Sequence, residues 1–257
     1  VAGASRTGDA VHDDTRRGTG GVFPHDEPGR PASVLFRRAA PAYLRPPVSP
    51  PLSMLATVDA LLPLSLLEAV RDVDRPIDDP ETEFVDELRN KRFGLSETVH
   101  AQIRRYAEAV RRSQRAASDE AVALARLIGR RPDAEVVFRE AGRRVAERAY
   151  GTVGAARRAA IRALPGLLAR PLALGVARRL ARRYFGGTVE RTGASVVLAV
   201  RQSLTAEAAA PGRGCAFYAA GFARLLQLLI GQEDAVDHVR CAARGEGACE
   251  WRAEWRR

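Results

Sequence analysis

The sequence has little lysine and little cysteine, and it lacks any long apolar run. Among its 41 basic residues only Lys91 is a lysine, so arginine carries almost all of the formal charge of +10. A bias toward arginine, alanine, glycine and proline is what GC-rich coding produces, so the charge alone does not indicate nucleic-acid binding. We therefore predict no specific nucleic-acid partner.

No stretch approaches the roughly 18 to 20 apolar residues that cross a bilayer, and no short apolar segment follows a basic N-terminus. The sequence thus predicts a cytoplasmic protein without a transmembrane segment. An odd number of cysteines, without a secretion signal, argues against a disulfide framework. The 257 residues, 46% of them hydrophobic, suffice for one or two domains with a substantial core.

Composition and periodicity divide the chain into three parts. Residues 1–50 are rich in Gly, Pro, Asp and Arg, which predicts a disordered tail. Residues 51–130 carry apolar side chains at helical spacing, which predicts a helical N-terminal region with a helix on either side of Pro63. Residues 131–257 are predicted to form a further domain that contains both helices and strands.

The helices of residues 131–257 include one with a strongly basic face. We expect a first helix with Asp133 as its N-cap and another that begins at Pro171. The latter gathers apolar side chains on one face and arginines on the other. Such a helix either docks on a membrane surface or an acidic partner, or simply packs on a core, and core packing is the commoner case.

The last seventy residues change to a strand-like period. Four strands are predicted at 188–191, 195–200, 235–243 and 248–255, with a helix at 216–230 between the two hairpins. This order predicts an α+β fold in which a small antiparallel sheet packs with helices.

The three cysteines, Cys215, Cys241 and Cys249, all fall in the last fifth of the chain. If the final hairpin turns around Gly245, Cys241 and Cys249 lie opposite one another on one face. Cys215 opens the preceding helix, whose positive N-terminal end favours a thiolate and which can pack back on the sheet. Converging thiolates predict a zinc site, and three buried cysteines that act as small apolar side chains are the alternative.

A structural zinc ion takes four ligands, so the three thiols leave one position open. Glu207, in the loop before Cys215, is the predicted fourth ligand because a loop carboxylate has freedom of placement. His238 ranks lower, since a residue three positions before Cys241 in a regular strand points to the opposite face. Asp237 lies about 13 Å from Cys241 along the strand. A water or a ligand atom is the remaining alternative.

Two residue spacings in this region resemble one known family. Residues 215–231 read Cys-x-x-Tyr-x-x-Gly-Phe-x-x-Leu-x-x-x-Leu-x-Gly, and residues 239–251 read Val-x-Cys-x-Ala-x-Gly-x-x-x-Cys-x-Trp. Together they resemble the 4-vinyl-reductase domain family over about residues 131–257. That family includes a bacteriochlorophyll 4-vinyl reductase accessory protein and the sensor domains of phenol-responsive activators.

The resemblance implies a small α+β ligand-binding domain, often dimeric, with zinc held by Cys215, Cys241 and Cys249. In the activator branch an acidic residue is the fourth ligand. It lies farther upstream than Glu207, where this chain has Leu198 and other apolar residues. The acidic ligand of that branch therefore has no counterpart at the matching position.

We accordingly predict a small-molecule-binding or regulatory module that forms a homodimer and signals to a separate protein. Its hydrophobic ligand is expected between the sheet and the helices. The predicted lining is Phe217, Tyr218, Phe222, Leu225 and Val197, and plain core packing is the alternative for each of them. A second hypothesis is an accessory protein or reductase of tetrapyrrole metabolism. The sequence has no Rossmann glycine fingerprint, which weighs against an enzyme.

Overall fold

The computed structural model describes residues 57–75, 93–209, 212–231 and 235–255. All of them fall in one unit of packed residues, 49–257. The predicted tail at 1–50 lies outside the described residues, as do parts of the predicted helical region at 51–130. A division into two domains near residue 130 stays a prediction.

The described chain is mainly helical. Its helices are α1 (Leu61–Asp74), α2 (Glu97–Arg111), α3 (Ser118–Gly129), α4 (Ala134–Gly151), α5 (Ala155–Ala163), α6 (Gly166–Leu180), α7 (Leu204–Ala208) and α8 (Cys215–Ile230). Its strands are β1 (Thr57–Asp59), β2 (Arg115–Ala117), β3 (Thr188–Thr192), β4 (Ser195–Val200), β5 (Val236–Arg240) and β6 (Cys249–Glu254). None of these helices is long and apolar enough to span a bilayer.

Four of the strands form one antiparallel sheet in the order β3-β4-β6-β5. Alternate residues of β4 point inward, so Val196, Leu198 and Val200 are buried. Helix α8 packs on β5 and β6. This arrangement confirms the predicted α+β class. A separate two-stranded sheet pairs β1 with β2, and it was not predicted because three-residue strands carry too little alternation to detect.

Helix α4 lies at the centre of the helical layer, between α1 and α8. Its contact with α8 is close because both helices have a glycine at the crossing. A Cβ atom on Gly142 would lie 2.0 Å from the carbonyl oxygen of Phe217, and one on Gly221 would lie 3.0 Å from the carbonyl oxygen of Gly142. The two backbones therefore touch directly, which fixes the position of α8 against the rest of the core.

Two helix boundaries differ from the prediction at prolines. Pro63 is the third residue of α1, where a backbone N–H has no helical acceptor, so one helix runs through it. The predicted start at Pro171 is wrong, because α6 begins at Gly166. Burial of Ala169 and Ala173 on either side of Pro171 holds the helix across the lost hydrogen bond.

Asp133 does occupy the N-cap position of α4, as predicted, but its side chain does not cap the helix. Both of its carboxylate oxygens instead accept hydrogen bonds from Arg131, at 2.7 Å each. Arg131 also binds both carboxylate oxygens of Asp74 at the end of α1, at 3.0 and 2.6 Å. The acidic cap residue thus serves to join α1 to the start of α4.

Candidate metal centre

The three cysteines and His238 converge at the start of α8 and the ends of β5 and β6. Their four candidate ligand atoms, three Sγ atoms and one ring nitrogen, all lie within 4.8 Å of one another. The Sγ atoms of Cys215 and Cys241 are 3.8 Å apart, far beyond the roughly 2.05 Å of a disulfide bond. All three cysteines are free and buried. This group is able to hold a metal ion.

Three separate elements deliver the sulfur atoms. Cys215 is the first residue of α8, Cys249 is the first residue of β6, and Cys241 directly follows β5. Between the last two, the chain makes a 3₁₀ turn and passes through Gly245 and Gly247, whose φ angles are 83° and 78°. These positive φ angles favour glycine, and they let the connection fold tightly enough to bring Cys241 beside Cys249.

Hydrogen bonds hold this connection and the start of α8 in place. The backbone N–H of Cys241 donates to the carboxylate of Glu246, and that of Ala242 donates to Cys249 Sγ at 3.3 Å. At the other side, the hydroxyl of Thr205 on α7 donates to the carbonyl oxygen of Gly214 at 2.7 Å. The sulfur positions are therefore fixed by the backbone on both sides of the site.

His238 joins the cysteines because β5 is bulged. His238 pairs with Trp251 and Arg240 with Glu250, so Val239 is an extra residue in the strand. Because it lies opposite Trp251, His238 shares the face of Trp251 and of Cys249, two residues before it. The extra residue then shifts Cys241 onto this face, whereas a regular strand would place Cys241 on the face opposite to His238. The expectation that His238 points to the opposite face is wrong, because it assumed a regular strand. The His238 ring also stacks on the Trp251 indole, with centroids 5.0 Å apart, which orients the imidazole.

Glu207, the predicted fourth ligand, lies outside the group. It is on the short helix α7, and the residue is exposed to solvent. Partial burial of its carboxyl nevertheless raises its pKa, and the nearby Cys249 adds to the shift. Asp237 is exposed on β5 and is not in the group either. Among the candidates that the sequence offered, the structure brings His238 to the sulfurs.

The thiols of Cys215 and Cys249 differ in pKa. A hydrogen bond from the Cys215 thiol lowers the pKa of Cys249 to about 5, and the N–H of Ala242 and the His238 side chain act in the same direction. The same hydrogen bond, together with burial, raises the pKa of Cys215. These contacts favour the thiolate form of Cys249, which is the form that binds a metal ion.

The residues predicted to line a ligand pocket lie on two different faces of the sheet. Phe217, Tyr218, Phe222 and Leu225 are each at most 1% exposed. They pack in the core, where Tyr218 stacks on Trp251 with centroids 4.9 Å apart. Val197 alternates with the buried residues of β4 and faces a depression on the outer side of the sheet.

A cavity of about 330 Å³ lies elsewhere, between α5, the start of α6 and the end of α8. Its walls include Ile161, Ala169, Leu229 and Trp255, and Arg162 reaches its rim. No pattern in the sequence indicates this cavity. Ile161 is the one buried residue of α5, and a single apolar position on a nine-residue helix gives no periodic signal.

No model of a known protein family matches the chain, no curated protein is similar to it, and no solved structure matches its fold. The resemblance to the 4-vinyl-reductase domain family therefore stays a prediction, and it rests on the spacings within residues 215–231 and 239–251. The fold and the site themselves define an α+β domain with a buried group of three cysteines and one histidine.

Proposed function

We propose that this chain is a small-molecule-binding module whose sheet and last helix are cross-linked by a structural zinc ion. The observation that carries the proposal is the convergence of Cys215, His238, Cys241 and Cys249 within 4.8 Å. Three sulfurs and one imidazole nitrogen are a donor set that structural zinc sites use, whereas magnesium and calcium prefer oxygen ligands.

The spacing of the sulfurs supports a tetrahedral ion. Two thiolates bound at about 2.3 Å to one tetrahedral zinc ion lie about 3.8 Å apart. The Sγ atoms of Cys215 and Cys241 are separated by that distance, 3.8 Å. The sulfurs therefore need little movement to bind the ion.

A buried nitrogen at the site also supports metal binding. Nε2 of His238 is buried and has no hydrogen-bond partner among the described residues. Leaving a buried polar atom without a partner costs about 1 to 3 kcal/mol. A bond from an imidazole nitrogen to a metal ion removes such a cost, and the neutral ring that makes it is held by the stack on Trp251.

The proposed role of the ion is structural because four protein side chains fill a tetrahedral shell. A bound zinc ion supplies bonds that join α8 to both strands of the final hairpin. The residues of this chain do the rest: Ala242 and Cys241 fix the loop through their N–H groups, and burial of the sulfurs excludes water. Substrate chemistry at the ion is not part of the proposal.

The proposed ligand site is the cavity between α5, α6 and α8. Its volume of about 330 Å³ falls at the lower end of the range of small-molecule sites. Ile161, Leu229 and Trp255 give it apolar walls, and Arg162 supplies a positive charge at the rim. We propose a small apolar molecule, with an anionic group, as the ligand class.

An anionic apolar fluorophore, anilinonaphthalene sulfonate, tests this site in the zinc-loaded full chain. We expect saturable binding that quenches or shifts the emission of Trp255. Ala169→Phe fills the cavity and is expected to weaken the binding at least tenfold. Ala163→Phe, on the exposed side of α5, is the matched control and is expected to bind as the unmodified protein does.

Far-UV circular dichroism and zinc content verify that both variants are folded. Equal binding by the two variants would overturn the assignment of the ligand site to this cavity. It would leave the zinc proposal to be judged by its own measurement.

A further inference from the structure

Residues 149–189 hold eight arginines and no aspartate or glutamate. This stretch therefore carries eight of the net ten positive charges of the chain. GC-rich coding explains frequent arginine, but it does not explain why acidic residues are missing from these 41 consecutive positions. The stretch comprises α5, α6 and the turn that follows, so the charge is concentrated on one part of the fold.

Many arginines elsewhere in the described chain are paired with acids. Arg131 binds Asp74 and Asp133, and Arg148 binds Glu68 at 2.7 Å. By contrast, no carboxylate of the described residues lies within 4.0 Å of Arg178, Arg179 or Arg182. The positive charge at the end of α6 is thus not neutralised within the part of the chain that the structure describes.

These arginines share one face with two exposed leucines. At about 100° per residue, Leu167, Leu168, Arg178, Arg179 and Arg182 fall on the same half of α6 and its continuation. Leu167 is 86% exposed and Leu168 is 59% exposed, the two largest values among the large apolar side chains. The opposite half, which includes Ala173, Val176 and Leu180, is buried against the core.

The arginine end of this face is shaped to receive a small anionic group. Gly175 has no atom within 4 Å of the position of a Cβ atom, so it leaves open space on the face. Together with Arg178, Arg179, Arg182 and Arg183 it lines a shallow depression. Arg183 also pairs with Asp59 at 3.4 Å, so the other three arginines are the ones without a carboxylate partner among the described residues. Guanidinium groups around such a depression suit a phosphate group, since each donates several hydrogen bonds.

We propose that this face of α6 docks on an anionic membrane surface. Leu167 and Leu168 enter the interface, and the arginines at the other end contact lipid phosphates. Adjacent exposed leucines favour a bilayer over a nucleic acid, which uses exposed aromatic side chains for stacking. Both aromatic residues at the end of this segment, Tyr184 and Phe185, are buried. The inference is independent of the zinc site.

Vesicle flotation with the full chain, as purified without chelator, tests the proposal. We expect binding to phosphatidylcholine vesicles that contain phosphatidylglycerol, and little binding to phosphatidylcholine alone. Binding is expected to fall as the salt concentration rises from about 100 to about 500 mM, because salt screens exposed charges. The removal of two arginines in Arg178→Gln with Arg182→Gln is expected to weaken the partition coefficient about 25-fold. Leu167→Ser with Leu168→Ser is expected to weaken it about tenfold.

Two matched double variants serve as controls. Arg104→Gln with Arg126→Gln removes the same charge from exposed positions on α2 and α3, and Leu127→Ser with Val136→Ser removes exposed apolar groups from α3 and α4. Both are expected to bind within about twofold of the unmodified protein.

Absence of binding to anionic vesicles would overturn the proposal. A control double variant that loses as much vesicle binding as the α6 variant matched to it would overturn it as well. A single-stranded RNA that displaces the protein from vesicles, with its own binding unaffected by the leucine substitutions, would identify a nucleic acid as the partner and would equally overturn it.

Discussion

Cysteine is confined to the last fifth of this chain, and residues 149–189 hold eight arginines without an acidic residue, but the two regions differ in how they present these groups. At the candidate metal centre, three buried cysteines and the half-buried His238 from α8, β5, β6 and the turn between these strands converge. On α6, like charges turn outward along one helix. The inward site depends on pairing between distant segments, whereas the outward face follows from the local period of a single helix.

Among the substitutions considered, that of Cys249 is expected to lower the free energy of unfolding the most. Cys249→Ser removes a ligand that is fully buried, so we expect a loss of about 4 kcal/mol or more in the free energy of unfolding. Urea denaturation followed by circular dichroism measures the loss. Ala243→Ser, at an exposed position of the same connection, is the control and should change the midpoint little. An unfolding curve of Cys249→Ser that matches the control would contradict a structural role.

The second largest loss in the free energy of unfolding is expected for a substitution at the crossing of α4 and α8. Gly142→Ala places a methyl group 2.0 Å from the carbonyl oxygen of Phe217, and we expect a cost of about 3 kcal/mol from the forced separation of the helices. Gly175→Ala, on the open face of α6, should instead stabilise by about 0.5 to 1 kcal/mol. Thermal and urea unfolding of both variants show whether each substitution stabilises or destabilises the fold. Equal effects would show that the two surfaces are packed alike.

A pH titration tests the ion pair between Arg131 and Asp133, which has no counterpart in the described chain at Arg178, Arg179 or Arg182. Hydrogen bonds from Arg131 lower the pKa of Asp133. A lowered pKa in the folded state means that this stabilisation is present above the ordinary aspartate pKa of about 4 and is lost as the pH falls through the folded value. Asp133→Asn should therefore destabilise the protein at pH 7, and the difference from the unmodified protein should shrink toward pH 3. A difference that is constant with pH would rule out the charge as its cause.

The smallest change in stability is expected on α6. Arg178→Gln with Arg182→Gln removes exposed charges that have no carboxylate partner among the described residues, and one hydrogen bond that Arg178 Nε donates to the carbonyl oxygen of Val189 at 3.1 Å. The free energy of unfolding should therefore fall by less than about 1 kcal/mol. A loss larger than about 1.5 kcal/mol would mean that these arginines support the fold rather than a partner surface.

Local patterns in the sequence predicted much of the C-terminal fold. Helix α8 was predicted at 216–230 and is found at Cys215–Ile230, and β4 is found where it was predicted, at Ser195–Val200. These elements have strong apolar periods that bury one face. The start of α6 was missed, because the tertiary burial of Ala169 and Ala173 outweighs the local signal of Pro171.

Only part of the candidate metal centre could be predicted from the sequence. Three clustered cysteines indicate a shared site, but His238 and Cys241 lie on one face only because of a bulge at Val239, which arises from the pairing of β5 with β6. Strand parity, applied to a regular strand, gave the wrong face. The residues of α8 that were predicted to line a ligand pocket were ambiguous for a different reason. An apolar helix face packs equally well on a sheet or around a ligand, and in this structure Tyr218 of that face stacks on Trp251.

Native mass spectrometry of the full chain, purified without chelator, tests the central claim most directly. We predict one zinc ion per chain in the unmodified protein and in Glu207→Gln, and partial or complete loss of zinc in His238→Ala. The account is contradicted if the unmodified protein carries no stoichiometric metal, or if Glu207→Gln loses zinc while His238→Ala retains it.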